Sequence, residues 1–389
     1  MTQPSRLEDA ARQLCEHLAG RRDEILGDIA TLVELESPSS DIEALGRAAD
    51  WLAKWLEPAG AVSVITTPDG RRLLLLKPPG ADERGPLLLC HYDTVWPVGT
   101  LAEWPFEIKD GIATGPGIYD MKASSVCGRH ILLALQELGL PCGARLLLTP
   151  DEEIGSKASH ATITEISAKS SAVLVLEPPL DDGRLKTTRK GHGYARISVT
   201  GRSAHAGVAP EEGINAIDEI AQIVRQLRGI AGSVSGGTVS VGRINGGRAL
   251  NMVPEHAEIG VDIRAWTAEG MGTITTAINA LCTEHPDARI EIVCTVDHGP
   301  VERKPSTAAL VERCKQASAA VGLTVSEGGT GGGSDGSIAQ AAGAPVLDGF
   351  GVRGAGPHAR HERIYLEPLI PHMAVIGAMV ADLTENPDV

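Results

Sequence analysis

Aromatic side chains are scarce in this chain. Phe, Trp and Tyr make up 3% of its 389 residues, while 42% are apolar and 45 are Gly. A core built from such a pool is mainly aliphatic, as in α/β proteins, and the apolar share is ordinary for a globular protein. Cysteines are few and scattered: Cys15, Cys90, Cys127, Cys142, Cys282, Cys294 and Cys314. The number is odd and no CxxC occurs, which argues against a disulfide framework or a Cys-type structural zinc site. Reduced thiols in a cytoplasmic protein are the expectation. No run of 18 apolar residues exists, so no membrane span is expected. The opening stretch MTQPSRLEDAARQLCEHL has no apolar segment of the kind a secretory signal needs. Lys and Arg number 35 against 50 Asp and Glu, a net charge of −15. Nucleic acid is therefore a poor partner, since it calls for a basic patch. No GxGxxG follows the first strand, which disfavours a dinucleotide-dependent oxidoreductase. GGTGGGSDG (328–336) lacks the GxxxxGK[ST] of a phosphate loop.

What is present is a repeated pattern of short apolar runs. They are Arg72–Leu76, Pro86–Cys90, Ala144–Leu148, Ala172–Leu176 and Ala344–Leu347, with a long helix expected over Met121–Leu138. Runs without polar alternation indicate a sheet covered on both faces by helices. Helical spacing also marks residues 7–34 and Ile42–Pro58. The texture changes near Gly193. Tyr194–Thr200 alternates; helices at Asn215–Leu227 and Ala268–Glu284 and strands at Thr238–Ile244, Ala257–Ala265 and Ala288–Val296 complete a β-α-β-β-α-β unit. The expected fold is α/β: a doubly wound, mainly parallel sheet carrying the chemistry (1–189 and 303–389), with an inserted α+β domain (190–302).

In doubly wound sheets ligands bind beyond the carboxyl ends of the strands. There the sequence places His91 and Asp93, then Asp151, Glu152 and Glu153, then Glu177, and finally His358 after a Gly-rich loop; Asp120 precedes the long helix. Converging carboxylates repel one another, and a divalent cation removes that cost. Two His with several carboxylates and no thiolate suit zinc or a similar ion. The candidates exceed one tetrahedral site, and a two-metal site with a bridging carboxylate and ions roughly 3.5–4 Å apart would use them all. Of Glu152 and Glu153, one would ligate and the other would serve as general base. Asp93, two residues past His91, can hold the imidazole from behind.

Taken singly, each signal has a plainer reading. Three acids can simply decorate a helix N-terminus. A His after an apolar run can be a satisfied core residue, and Asp120 can be a turn residue or a helix cap. Glu177, before two prolines, can be loop surface. Residue chemistry alone does not separate His358 from His361. The glycines of 328–336 can be a linker. It is the joint position at successive strand ends that favours a site.

At this point the chain resembles the co-catalytic zinc amidohydrolases that include aminoacylases, acetylornithine deacetylases and glutamate carboxypeptidases. The resemblance is carried by HYDTV (91–95), GPGIYDMKAS (115–124), DEEIGS (151–156), LEPP (176–179), TGRSAHAGVAP (200–210), NMVP (251–254), VDIR (261–264), TGGGSD (330–335) and GAGPHARHE (354–362). It implies two zinc ions. His91, Asp120 and Glu177 would hold one; Asp120 would bridge to the other, held also by Glu153 and His358. Glu152 would be the general base and Asp93 the orienter of His91, and the Asp120–Met121 peptide would be cis. Glu362 completes the family's HxxxE. The inserted domain would be a lid and dimerisation domain, with His205 reaching the partner subunit's site to stabilise an oxyanion. Asn251, Arg264 and Gly332 would bind substrate, Arg264 through a carboxylate. Relatives that cleave glutamate carry further basic residues for the side-chain carboxylate, and Arg184 is the candidate here. The implied activity is zinc-dependent hydrolysis of an amide or peptide bond that releases a C-terminal amino acid. An N-acyl-amino-acid deacylase of the same architecture is the alternative. A homodimer acting on a small molecule or short peptide with a free carboxylate is expected, and the intact Glu152 and His205 argue against a non-catalytic metal-binding protein.

Overall fold

A computed structural model describes residues 5–389. The chain divides into two compact units. The first comprises residues up to Thr187, Arg303–Gly329 and Ser334–Val389; the second comprises Thr188–Glu302 and Thr330–Gly333.

The first unit is built on a six-stranded sheet. Its strands lie in the order Ala61–Thr66, Arg72–Lys77, Arg145–Thr149, Leu87–His91, Val173–Val175 and Val346–Leu347. The last four run parallel, and the first two are antiparallel additions. The strands alternate between two separate cores. Leu74, Leu76, Leu88, Cys90, Leu146, Leu148 and Leu174 face one cluster; Leu73, Leu75, Leu87, Leu89, Leu147, Val173 and Val175 face another. This is the period-two geometry of a strand buried on both sides, and it explains the unbroken apolar runs. The larger core is covered by helices Arg6–Ala19, Arg22–Glu34, Ile42–Leu56, Ala123–Glu137 and Leu369–Glu385. Helix Arg6–Ala19 starts at a capping box in which Ser5 and Glu8 bond reciprocally. Because Arg72–Lys77 runs against its neighbour, its carboxyl end lies at the opposite edge. The parallel strands alone deliver His91, the 149–156 loop and the segment around Glu177 to one edge.

A small antiparallel sheet also belongs to this unit. Arg363–Tyr365 pairs with Ile112–Thr114, and Arg363 lies opposite Thr114. That pairing sets Glu362 beside the loop that follows Thr114.

The second unit has a four-stranded antiparallel sheet in the order Thr238–Gly246, His256–Ala265, Gly191–Thr200 and Arg289–His298. Helices Ala216–Gly232 and Ala268–Asn279 share its core with Ala195, Ile197, Val199, Ile259 and Ile263. The element order is the expected β-α-β-β-α-β. Two expectations need correction. The second helix stops at Asn279 and not at Glu284; the N–H groups of Glu284 and His285 bond the Glu219 carboxylate, at 2.7 and 2.9 Å, outside the helix. Thr330–Gly333, read with the first domain, packs with the second unit. There the Lys190 N–H donates to the Thr330 carbonyl (3.0 Å), and the Arg264 guanidinium donates to that of Gly331 (2.7 Å).

Candidate active site

In the first unit the loops beyond the parallel strands bring two donor groups together. One comprises His91, Asp120 and Glu177; the other comprises Asp120, Glu153 and His358. Asp120 belongs to both, and its two oxygens divide between them. Oδ1 lies 3.2 Å from His91 Nε2 and Oδ2 lies 3.3 Å from His358 Nε2. His91 Nε2 is 3.4 Å from Glu177 Oε1, and His358 Nε2 is 3.0 Å from Glu153 Oε2. A third grouping, Glu24, Asp28 and His130, is different in kind. Arg21 engages Glu24 and Arg129 lies 3.6 Å from Asp28, so its negative charge is already matched.

The backbone that holds these groups is irregular. His358 and Ser156 have positive φ, 59° and 50°, uncommon for residues with a Cβ. The Asp120–Met121 peptide is cis. Gly117 has φ +71°, and a Cβ there would meet Thr94 Cγ2 at 2.4 Å, so this turn requires glycine.

The three consecutive acids have three different surroundings. Asp151 turns back into its own loop, accepting from Ala158 N at 2.8 Å and from the Ser159 hydroxyl. Glu153 meets His358. Among the described residues nothing hydrogen-bonds the Glu152 carboxylate. Burial, reinforced by the charge of Glu177, pushes Glu152 well above the usual carboxylate range. Burial also lifts Glu153 to about 7, with Asp120 adding to the rise.

Asp93, expected to orient His91, lies against that ring and also holds the neighbouring loop. The His91 Nδ1–H donates to the Asp93 main-chain carbonyl at 3.0 Å, with Oδ1 farther away at 3.4 Å. The Asp93 carboxylate accepts from Ser39 Oγ (2.6 Å), Glu152 N (3.3 Å) and Glu153 N (3.2 Å). Asp93 thus holds the loop bearing both glutamates as well as the imidazole. The reason is that the 149–156 loop leaves the strand next to that of His91.

The donor set fits a divalent cation. Among the described residues, Asp120 and Glu153 have imidazoles, and no Lys or Arg, as ion-pair partners. Hydrogen bonds to Asp120 and Glu153 raise His358 to about 10. For His91, burial pulls downward but is outweighed by Asp120, Asp93 and Glu177, and the net shift is upward. Two imidazoles and three carboxylates without a thiolate match zinc or a similar ion.

His205, Asn251, Arg264 and Gly332 lie in the second unit, and Arg184 lies in the first. His205 is exposed, and its Nδ1 accepts from Gly207 N at 3.1 Å. Arg264 forms a two-point pair with Asp262, at 3.1 and 3.2 Å. Arg184 Nε–H donates to Asp182, a neighbour two residues away, at 2.6 Å.

Sequence reasoning attached no role to several residues that support the site. Glu362 is wholly buried and accepts from four N–H donors. Asp335 is buried, accepts from Thr149 Oγ1 at 3.0 Å and from the Ser156 hydroxyl, and is lifted by burial to about 7. It ties down both ends of the loop carrying Glu152 and Glu153. The available signal was an acid placed inside each of the motifs TGGGSD and GAGPHARHE.

The model of Peptidase family M20/M25/M40 matches residues 87–382. Carboxypeptidase G2 of Pseudomonas sp. (strain RS-16) is 27% identical over 391 residues, covering 94% of each chain. An acetylornithine deacetylase of Pasteurella multocida is 31% identical over 231 residues, 55% of this chain and 59% of its own. The crystal structure of a dinuclear metal-binding peptidase of Bacillus subtilis superposes with a TM-score of 0.64 at 16% identity, covering 94% of this chain and 99% of that one.

Proposed function

The chain belongs to Peptidase family M20/M25/M40, and on that premise we propose that it is a two-zinc hydrolase releasing a C-terminal amino acid from an amide or peptide bond. The observation that carries this reading is the pair of donor groups sharing Asp120, with the unbonded Glu152 carboxylate beside them. In it His91, Asp120 and Glu177 hold one ion, and Asp120, Glu153 and His358 hold the other. Bound there, zinc would polarise the scissile carbonyl and acidify a water. The chain's own part is proton handling and placement. A Glu152 Oε accepts the proton of the attacking water and later delivers it to the leaving nitrogen. An environment that raises its proton affinity suits a group that must take a proton and then give it up.

The second unit serves as lid and dimerisation domain in this reading. Arg264 binds the substrate carboxylate, aided by Asn251 and Gly332, while His205 stabilises the oxyanion in the partner's site. For Arg264 this means exchanging part of its Asp262 pairing for substrate. Homodimer formation is supported by the exposed end of the edge strand Thr238–Gly246. Ile244 is 59% exposed, and Leu250 just beyond it is 105% exposed. For glutamate as the leaving residue, Arg184 is the candidate to meet the side-chain carboxylate. A cytoplasmic setting accords with seven free thiols, and among the described residues no helix is long and apolar enough to cross a membrane.

The similarity to an acetylornithine deacetylase favours a second reading, an N-acyl-amino-acid deacylase of the same architecture. Amino-acid release from a panel of N-acyl and peptidyl substrates, with and without zinc, separates the two. Zinc-dependent release governed by the C-terminal residue supports the carboxypeptidase. Release that follows the acyl group supports the deacylase, and no release from any member refutes both.

A further inference from the structure

Glu362 has no part in the proton transfer described above, yet it is 0% exposed and fully engaged. Its Oε1 accepts from the main-chain N–H groups of Tyr119 (2.8 Å) and Asp120 (3.0 Å). Its Oε2 accepts from Gly117 N (3.0 Å) and from the indole Nε1–H of Trp96 (2.9 Å). Four donors meet the accepting capacity of one carboxylate. The segment they come from has no sheet ladder of its own. Between Thr114 and the helix starting at Ala123, the chain turns through a positive-φ Gly117 and a non-helical Asp120 and Met121. Three of its N–H groups converge on a single anion, in the manner of a backbone nest.

We propose that Glu362, with Trp96 as its side-chain partner, is a positioning residue that sets the Asp120 carboxylate across both donor groups. It acts through the Asp120 main chain and touches no reacting atom. The inference rests on the reading of Asp120 as the shared metal ligand. Its distinctive consequence follows from that sharing: disturbing Glu362 weakens both metal positions together, whereas removing a ligand of one group weakens that group. Trp96 extends the support outward. Its ring meets Trp104 edge-on at 5.1 Å, so the indole is held in the orientation that its hydrogen bond needs.

The test is zinc titration of metal-stripped protein by calorimetry, with cobalt absorption spectra as a second readout. Wild type, Glu362→Gln, Trp96→Phe and Glu177→Ala are compared after melting curves establish that each is folded. Wild type takes up two ions. Glu362→Gln loses on the order of 10–100-fold in affinity at both positions, the range for residues that orient ligands, and its cobalt spectrum changes. Trp96→Phe, which deletes one N–H and keeps a ring, shifts both positions in the same direction by less. Glu177→Ala loses affinity at one position. Folded Glu362→Gln with wild-type affinity, or a loss confined to one position, overturns the proposal. Should Glu362→Gln fail to fold, Trp96→Phe decides by the same criterion. Wild type binding fewer than two ions refutes the shared-ligand reading itself, an outcome distinct from failure of the positioning role.

Discussion

Replacing Glu152 by Gln tests the proposed chemistry most sharply, because the structure predicts different effects on rate and on stability. No group among the described residues hydrogen-bonds this carboxylate, and burial disfavours its charged form. The nearly isosteric amide cannot carry the charge that burial disfavours, so little loss of stability is expected. General acid–base catalysis contributes on the order of 10²–10⁴-fold, or about 3–5 kcal/mol of barrier at about 1.4 kcal/mol per decade. The assay pairs zinc-dependent amino-acid release with a urea melt and a zinc determination on one preparation. The expected variant loses little stability, retains its zinc, and turns over at least 100-fold more slowly. A folded, zinc-loaded Glu152→Gln within tenfold of the wild-type rate would refute the reasoning. Equal loss of stability and rate would also refute it, since Glu152 would then be a structural residue.

Asp93→Ala should cost both. It leaves Ser39 Oγ and the N–H groups of Glu152 and Glu153 without their acceptor, a loss of about 3 kcal/mol in a urea melt, accompanied by slower turnover; unchanged stability would contradict the hydrogen-bond account. His372 sets an acid limit on the fold. It is buried with Nδ1 unpartnered, and burial, aided by the Arg353 charge, holds it down at about 4. Its folded value lies below its unfolded 6.5, so the unfolded chain binds the extra proton and stability falls as pH drops from 6.5 toward 4. At about 1.4 kcal/mol per pH unit, the stability difference between wild type and His372→Leu should shift steadily in favour of the variant over that interval; parallel pH curves would contradict this. Leu250→Asp alters a side chain with nothing to lose in the monomer and should leave the fold of the single chain intact. In sedimentation it should shift a dimeric wild type toward monomer, and a monomeric wild type or an unaltered dimer would sink the edge-strand interface.

The catalytic half of the molecule was legible in the sequence because fully buried parallel strands leave unbroken apolar runs. The polar residues that end those runs then stand out at one edge of the sheet. His91, Glu153, Glu177 and His358 were singled out that way and Asp120 by its place before the long helix, and the structure brings their side chains together. What stayed hidden depends on pairings between distant segments. The use of Glu362 follows from the register of Arg363 opposite Thr114, a fact no local pattern carries. The double duty of Asp93 requires the 149–156 loop to leave the strand adjacent to His91. The segment after helix Ala268–Asn279 is held by Glu219, far away in sequence, which accepts from two of its N–H groups. Arg184 was offered as the further basic residue that glutamate-cleaving relatives carry, and its Nε–H donates to Asp182, two residues before it.

The central claim is that one carboxylate, Asp120, serves two metal ions. It is tested most directly by counting metal in protein reconstituted with zinc and freed of excess, for wild type and Asp120→Asn. The account predicts two zinc ions per wild-type chain, and loss of affinity for both ions in a folded Asp120→Asn. A wild type holding one ion or none, or an Asp120→Asn variant that still holds two tightly, would contradict it.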